Sequence, residues 1–365
     1  MMSVNLVLKQ ILELSKAPNK SLGLVSGNQS GDADSILSAI SYCYLNFQYQ
    51  DRESIYLPFL NFPKDELRLR KDVLYVFNKY EIDQKYLLFS DDLASDTIKN
   101  FNRLILVDHN IPQGRLQQYI DSVPNNQLKI TGIIDHHEDE GYHLNVKPRI
   151  VLKAGSCSSL VYDYFKSINS KASSDTDILK ILINPLILDT FNMKSRVEHL
   201  DKLMFEDYTS IIDEDTNIIY EKLIEAKNDI DGLTFTEVLN KDYKSFESGN
   251  VVFGIASIVK PFGYVLEHFT ENEINININR FTKSKGIEFL VIMTAFSEGD
   301  KFRREIGFFN NSGLKIEEIK DELQLEELDN KFDSYKQLNL SYSRKQIAPL
   351  IKKKVENWTL TEQIT

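Results

Sequence analysis

Cysteine is nearly absent. The 365-residue chain has only Cys43 and Cys157 and no C-x-x-C pair. That argues against a disulfide framework and against a cysteine-held zinc. Basic residues are in deficit: 43 Lys and Arg face 54 Asp and Glu, for a net charge of −11. A surface of that sign argues against general electrostatic binding of nucleic acid or anionic membranes. It leaves room for an anionic substrate, because a site can be locally basic or filled by metal. No apolar run approaches the roughly 20 residues of a membrane-spanning helix. The opening MMSVNLVLKQILELSKAP has apolar residues at helical spacing, broken by Lys9 and Glu13. It predicts an amphipathic helix rather than a signal peptide. Internal repeats and low-complexity tracts are missing too. These absences predict a reducing, cytoplasmic setting.

What is present is globular material, 42% hydrophobic and 11% aromatic, and the length favours two domains. The first half alternates apolar runs with helical patterns. Strands are expected at 22–25, 54–57, 87–89, 104–107 and 131–134, and helices at 35–46, 64–78, 158–166 and 175–187. Such alternation predicts a parallel sheet wrapped by helices, with ligands bound beyond the carboxyl ends of the strands. The segment 196–229 is charged and helical in pattern. Beyond it GNVVFGIASIV, EININI (Glu273–Ile278) and IEFLVIMTAF predict strands of a smaller α/β domain, and IEEIKDELQLEEL an acidic surface helix.

Four apolar segments stop at acids or histidines. VSGNQSGDADSILSAI delivers Asp32 and Asp34 to a helix start; LILVDHN ends in Asp108-His109-Asn110; ITGIIDHHED ends in Asp135-His136-His137; LILDTFNM ends its apolar run at Asp189. One Asp in such a place is ordinarily a cap or turn. Parallel packing, however, would gather Asp32, Asp34, Asp108, His136 and Asp189 along one edge, with His137 beside them. Carboxylates that close repel one another and shift each other's pKa values. Divalent cations relieve the repulsion, and mixed carboxylate and imidazole donors suit Mn²⁺, Co²⁺ or Fe²⁺, or Mg²⁺ where oxygen dominates. Two such metals are the usual arrangement for phosphoryl hydrolysis. Asp135 is placed to orient a histidine. His143, His199 and His268 lack acidic company.

In this order, NQSGDAD, VDHN, DHH and LILDT resemble the motifs of the DHH phosphoesterase superfamily. The C-terminal SYSRKQIAPLI is similar to the Ser-Arg-Lys signature of the second domain in family II inorganic pyrophosphatases. KDYKSF and GIASIVKPFG also resemble that domain in the exopolyphosphatase branch. Asn28 stands where the pyrophosphatases carry His, as in the eukaryotic exopolyphosphatase and prune-like branch, which makes Mg²⁺ more plausible.

The resemblance implies an N-terminal parallel-sheet catalytic domain at 1–195 with helices on both faces. A linker helix would follow at 196–220 and a smaller α/β domain at 221–365, with the site in the cleft between the domains. It implies two divalent cations, Mg²⁺ or Mn²⁺ with Co²⁺ also admitted, held by Asn28, Asp32, Asp34, Asp108, His136 and Asp189. Asp108, His137 and Asp189 would be catalytic. His137, Lys194, Arg344 and Lys345 would contact phosphate, and Arg303 or Arg304 would meet more of a long substrate. The implied activity is release of terminal orthophosphate from inorganic polyphosphate by a metal-bridging hydroxide. The alternatives are pyrophosphate or nucleotide hydrolysis at the same site, or a prune-like scaffold. A monomer without nucleic-acid or membrane partners is expected.

Overall fold

The apolar runs of the first half become a parallel sheet. The computed structural model describes residues 3–17, 21–94, 98–122, 128–299, 301–309, 316–328 and 333–362. The strands are β1 (Ser21–Ser26), β2 (Ser54–Leu60), β3 (Leu88–Phe89), β4 (Phe101–Val107), β5 (Lys129–Asp135) and β6 (Arg149–Val151), in the order β3-β2-β1-β4-β5-β6. Every pairing is parallel. Strands covered on both faces read as unbroken apolar runs, and Leu24, Val25, Leu104 to Val107, Ile133 and Ile134 are accordingly buried. Strand order reverses between β1 and β4, so the loops leaving their carboxyl ends diverge and open a crevice. β6, three residues long, is too short to show a pattern in the sequence.

The accompanying helices are α1 (Val4–Leu14), α2 (Ala33–Leu45), α3 (Lys71–Lys79), α4 (Gly114–Ser122), α5 (Cys157–Ile168), α6 (Thr176–Asp189), α7 (His199–Ile211) and α8 (Thr216–Asn228). α2 packs on α5 and α6. The helix expected over 64–78 is interrupted: a 3-10 segment, Lys64–Leu69, precedes Arg70, where the backbone turns before α3 starts. α6 contains Pro185, which has no N–H for the Ile181 carbonyl. Asn184 Nδ2 donates to that carbonyl instead at 3.0 Å, and the helix runs on to Asp189.

The chain divides into two units, Met1–Asp229 and Ile230–Thr365. The segment 196–220, expected to link two domains, carries α7 and the start of α8. Its Met204, Tyr208 and Ile219 are buried in the core of the first unit.

The second unit comprises α9 (Phe235–Lys241), β7 (Tyr243–Ser248), β8 (Val251–Ile258), α10 (Phe262–His268), α11 (Glu271–Lys285), β9 (Phe289–Glu298), β10 (Lys301–Phe309), α12 (Glu317–Leu323), β11 (Leu325–Glu327), β12 (Ser334–Gln337) and α13 (Arg344–Glu362). Its sheet order is β11-β12-β10-β9-β8-β7; β8 and β9 pair in parallel and the other pairs are antiparallel. The strand expected from EININI is a correction: Glu273–Ile278 lies inside α11. Thr270 and Glu273 form a capping box, Gly286 ends the helix left-handed, and Ile274, Ile278 and Phe281 share its buried face. The acidic segment starts as α12 and then turns into β11. No helix among the described residues is long and apolar enough to cross a membrane.

Candidate metal and phosphate site

The loop from β1 to α2 is built tightly. A Cβ on Gly27 would lie 2.6 Å from Ser35 Cβ, so the first turn of α2 packs directly on the loop. Asp32 caps α2, with Oδ1 accepting the Ser35 N–H at 3.0 Å. Asp34, in the first turn of α2, is buried against the N-terminus of α5. Its Oδ1 accepts from Ser156 Oγ at 2.7 Å and the Ser158 N–H at 3.0 Å; its Oδ2 accepts the Cys157 N–H at 2.7 Å. The N–H groups of the AGSCSS turn thus meet a carboxylate of this chain.

Arg70 holds the loop from outside. Its Nε donates to Gly31 O and its Nη2 to Ser30 O, both at 2.7 Å, and its guanidinium lies 3.7 Å over the Phe62 ring. Its neighbour Lys71 pairs with Asp229 at 2.7 Å.

Asp108 follows β4 with φ +61, a left-handed conformation that Asp tolerates better than most residues. Its Oδ2 accepts from Ser35 Oγ at 2.6 Å and from Asn28 Nδ2 at 2.8 Å. The Asn28 oxygen accepts the N–H groups of Ser30 and Gly31 at 2.9 and 3.3 Å, which fixes the amide orientation. Asn28, expected among the ligands, therefore turns its N–H toward Asp108.

His136 follows β5 and donates Nδ1–H to the Ala154 carbonyl at 3.0 Å. In the neutral ring that leaves Nε2 bare. It faces Asp108 Oδ1 at 3.1 Å and Asp34 Oδ2 at 3.6 Å. Asp108 Oδ1 is buried and has no donor of proper geometry. Two lone-pair atoms facing each other need a proton or a cation between them. His137 behaves differently: its Nδ1 lies 2.8 Å from Asp135 Oδ1, while Asp135 Oδ2 accepts from Asn110 Nδ2 at 2.6 Å. Asp135 thus orients His137, not His136.

These contacts set the charges. Burial, then the nearby Asp34 charge, raises Asp108 to about 7. Burial also raises Asp34, and burial with the charges of Asp34 and Asp32 raises Asp189 well above the carboxylate range. Burial opposes charge on His136, but the facing Asp108 carboxylate and the charge of Asp34 overcome it and lift the group to about 10, so that without a metal cation a proton sits on Nε2 between His136 and Asp108. The hydrogen bond to Asp135 raises His137. Buried His109 is pushed down to about 4.

Asp32, Asp34, Asp108, His136, His137 and Asp189 line one cavity of about 470 Å³, shared with Lys153, Arg196 and Glu198. Asp108, His136 and His137 can each offer one ligand atom within 4.8 Å of the others. The donor set and the bare Asp108 Oδ1 fit a divalent cation. Lys194 is exposed and does not line the cavity, although Arg196, two residues on, does. Arg344 belongs to the second unit, where Nη2 pairs with Asp242 Oδ1 at 2.7 Å; Lys345 beside it is exposed. His143, His199 and His268 are exposed, and both cysteines are buried and free. Lys153, Arg196 and Glu198 carried no signal, since they come from loops that meet only in the fold.

Residues 24–186 match the DHH family, N-terminal domain, and residues 221–354 match the DHHA2 domain. A Schizosaccharomyces pombe protein, provisionally named an exopolyphosphatase, is 30% identical over 362 residues, 93% of this chain and 91% of that protein. The chain belongs to the DHH family. The resemblance in the four motifs and the two-part α/β fold are thereby borne out. The DHH relatives also include human exopolyphosphatase PRUNE1, 26% identical over 76% of this chain and 60% of the human protein. A Lactobacillus delbrueckii protein provisionally named a manganese-dependent inorganic pyrophosphatase is 26% identical over 64% of this chain and 69% of its own. Among solved structures, a Methanococcus jannaschii protein provisionally named a family II inorganic pyrophosphatase shares the fold, with a TM-score of 0.55 and 20% identity over 91% of this chain and 99% of that one.

Proposed function

We propose that this DHH protein is a metal-dependent phosphoanhydride hydrolase that removes terminal orthophosphate from inorganic polyphosphate. The carrying observation is the close approach of Asp108 Oδ1 and His136 Nε2, which face each other at 3.1 Å among the carboxylates of the cavity and need a proton or a metal cation between them. Asp32, Asp34, Asp108, His136 and Asp189 would hold two divalent cations, Mg²⁺ or Mn²⁺. Asn28, Ser35 and the α5 N-terminus position these ligands from behind. When bound, such cations activate water and neutralise charge on the phosphoryl group.

The remaining chemistry is the chain's own. His137, kept protonated by Asp135, donates a proton toward the leaving phosphate oxygen. Arg344 and Lys345 bind phosphate oxygens, Arg344 exchanging Asp242 for substrate. Asn28 in place of the pyrophosphatase His, together with the S. pombe relative's name, favours polyphosphate over pyrophosphate.

The test is phosphate release by purified protein with Mg²⁺ or Mn²⁺, against a chelator control. Long polyphosphate, tripolyphosphate, pyrophosphate and a cyclic nucleotide are compared side by side. Orthophosphate from long chains with slow pyrophosphate turnover is expected. Faster pyrophosphate or nucleotide turnover would keep the site and replace the substrate. No turnover with either metal would move the weight to a scaffold role.

A further inference from the structure

We propose that Arg196, rather than Lys194, is the phosphate-binding cation of the first unit, and that buried Asp201 is the positioning residue that holds it at the cavity. The inference rests on the reading of that cavity as the phosphate site and names a residue the motifs do not mark.

The loop after α6 is held in an unusual shape. Phe191, Asn192, Met193 and Arg196 all have left-handed backbones, with φ between 53 and 62. Non-glycine residues keep such conformations only where their surroundings impose them. At the near end Thr190 does so: its carbonyl accepts the N–H groups of Lys194 and Ser195 at 2.9 and 3.0 Å, and its Oγ1 accepts that of Met193 at 3.1 Å. At the far end the completely buried Asp201 does so. Its Oδ2 accepts the Glu198 and Gly155 N–H groups at 2.7 Å each, and its Oδ1 accepts from Ser159 Oγ at 2.7 Å.

Asp201 therefore fastens two loops to each other. A Cβ on Gly155 would sit 2.6 Å from the Arg196 carbonyl, so the loops meet backbone to backbone. The second loop is the one whose Ala154 carbonyl holds His136. One carboxylate thus sets the spacing between Arg196 and the histidine of the candidate metal centre.

What Arg196 does there follows from its partners. Two cations line the cavity. Lys153 is engaged with Glu198 at 2.8 Å. Arg196 has no carboxylate partner among the described residues; its guanidinium lies 5.7 Å over the ring of half-exposed Phe191, a platform that orients it without neutralising it. A guanidinium brought to a cavity of acids and left unpaired matches the oxygens of an anion arriving with cations, and its forked donors suit phosphate. Lys194, at the position the family resemblance favours, does not line the cavity.

The experiment measures binding of imidodiphosphate, a non-hydrolysable anhydride, to the Mn²⁺-loaded protein by calorimetry, with Mn²⁺ affinity measured separately. Arg196→Ala is expected to weaken imidodiphosphate about ten- to hundredfold and to leave Mn²⁺ affinity unchanged, with Arg196→Lys recovering part of the loss. Lys194→Ala is expected to bind as the wild type does. Asp201→Ala should weaken the anion as Arg196→Ala does, while Asp201→Asn, which can still accept both N–H groups, should retain most of the binding. Gly155→Ala, which pushes on the Arg196 carbonyl, gives a second reading if Asp201→Ala does not fold. Unchanged anion binding in Arg196→Ala, a larger loss in Lys194→Ala, or a parallel loss of Mn²⁺ affinity in Arg196→Ala would each overturn the role of Arg196. Equal behaviour of Asp201→Ala and Asp201→Asn would overturn that of Asp201. Wild-type protein that binds imidodiphosphate but hydrolyses no anhydride would sink the proposed function and leave Arg196 standing; wild-type protein that binds none would overturn both.

Discussion

The two units treat charge in opposite ways. The first gathers Asp32, Asp34, Asp108 and Asp189 around one cavity and sets only Lys153 and Arg196 beside them. The second matches its prospective phosphate cations with its own acids, Arg344 with Asp242 at 2.7 Å and Arg303 with Glu298 at 3.3 Å. Buried like charges cost folding energy until something else neutralises them. Half-exposed ion pairs contribute little and exchange readily for another anion. The first arrangement favours a bound cation; the second is already neutralised by its own acids. Arg304 departs from both: its Nε donates to the Leu340 carbonyl at 3.2 Å, and burial lowers its pKa.

The largest effect should come from breaking the first arrangement at its centre. Asp108→Asn keeps a side chain that tolerates φ +61 and can offer an N–H to the bare His136 Nε2. Turnover should fall about a thousandfold. The chelated protein should nonetheless melt higher, by about 5 °C. The sign follows from the raised pKa: a carboxyl held at about 7 when folded loses stability as pH rises from about 4 to 7, and the amide removes that loss. A variant that is both fully active and no more stable would refute the idea of an uncompensated acid cluster.

His109 tests burial without acids. Held down at about 4, it stays neutral when folded, so stability should be lost as pH falls from about 6.5 toward 4, by up to about 3 kcal/mol. His109→Asn keeps a donor for the Val107 carbonyl and should flatten the pH dependence of urea midpoints in that window. Superimposable profiles would show that another group carries the acid sensitivity.

The second unit should respond in function more than in stability. Arg344→Ala is expected to raise KM about tenfold through a lost charge-assisted contact. Its stability should change by under about 1 kcal/mol, as a partly exposed pair implies. A large loss of stability with KM unmoved would make the Arg344–Asp242 pair structural. The smallest effect is expected in Thr270→Ala, which removes the cap of α11 and should lower stability by about 1 kcal/mol. No shift in the denaturation midpoint would mean that packing of Ile274, Ile278 and Phe281 alone specifies that helix.

Those residues also show what was legible in the sequence and why. In the first unit most site acids sit where an apolar run stops, so the strand ends, the DHH family and the Asp and His part of the cavity lining, though not Lys153, Arg196 or Glu198, are legible in the sequence. The parallel sheet brings strand ends to one edge whatever else the chain does. In the second unit Ile274, Ile276 and Ile278 alternate at period two, yet Ile274 and Ile278 are also one helical turn apart. The Thr270–Glu273 box and the left-handed Gly286 decide between the two periods in favour of the helix. The motif marks Asn28, but the direction of its amide is set by the N–H groups of a turn, which the motif does not show. Arg70, Arg196 and Asp201 work through contacts with loops distant in sequence, and no local spacing announces them.

The acids that line the cavity run in chain order from Asp32 to Asp189 and Glu198, which bears on how the protein matures. Between them the chain must complete the parallel sheet and the helix that ends at Asp189, and Asp201 must then close the loop behind. A ribosome-bound chain that has emerged only through the DHH triplet lacks part of the lining. Cations held by the complete set of ligands would favour the finished unit over the unfolded chain, and so would add to its stability only once all of its lining is in place.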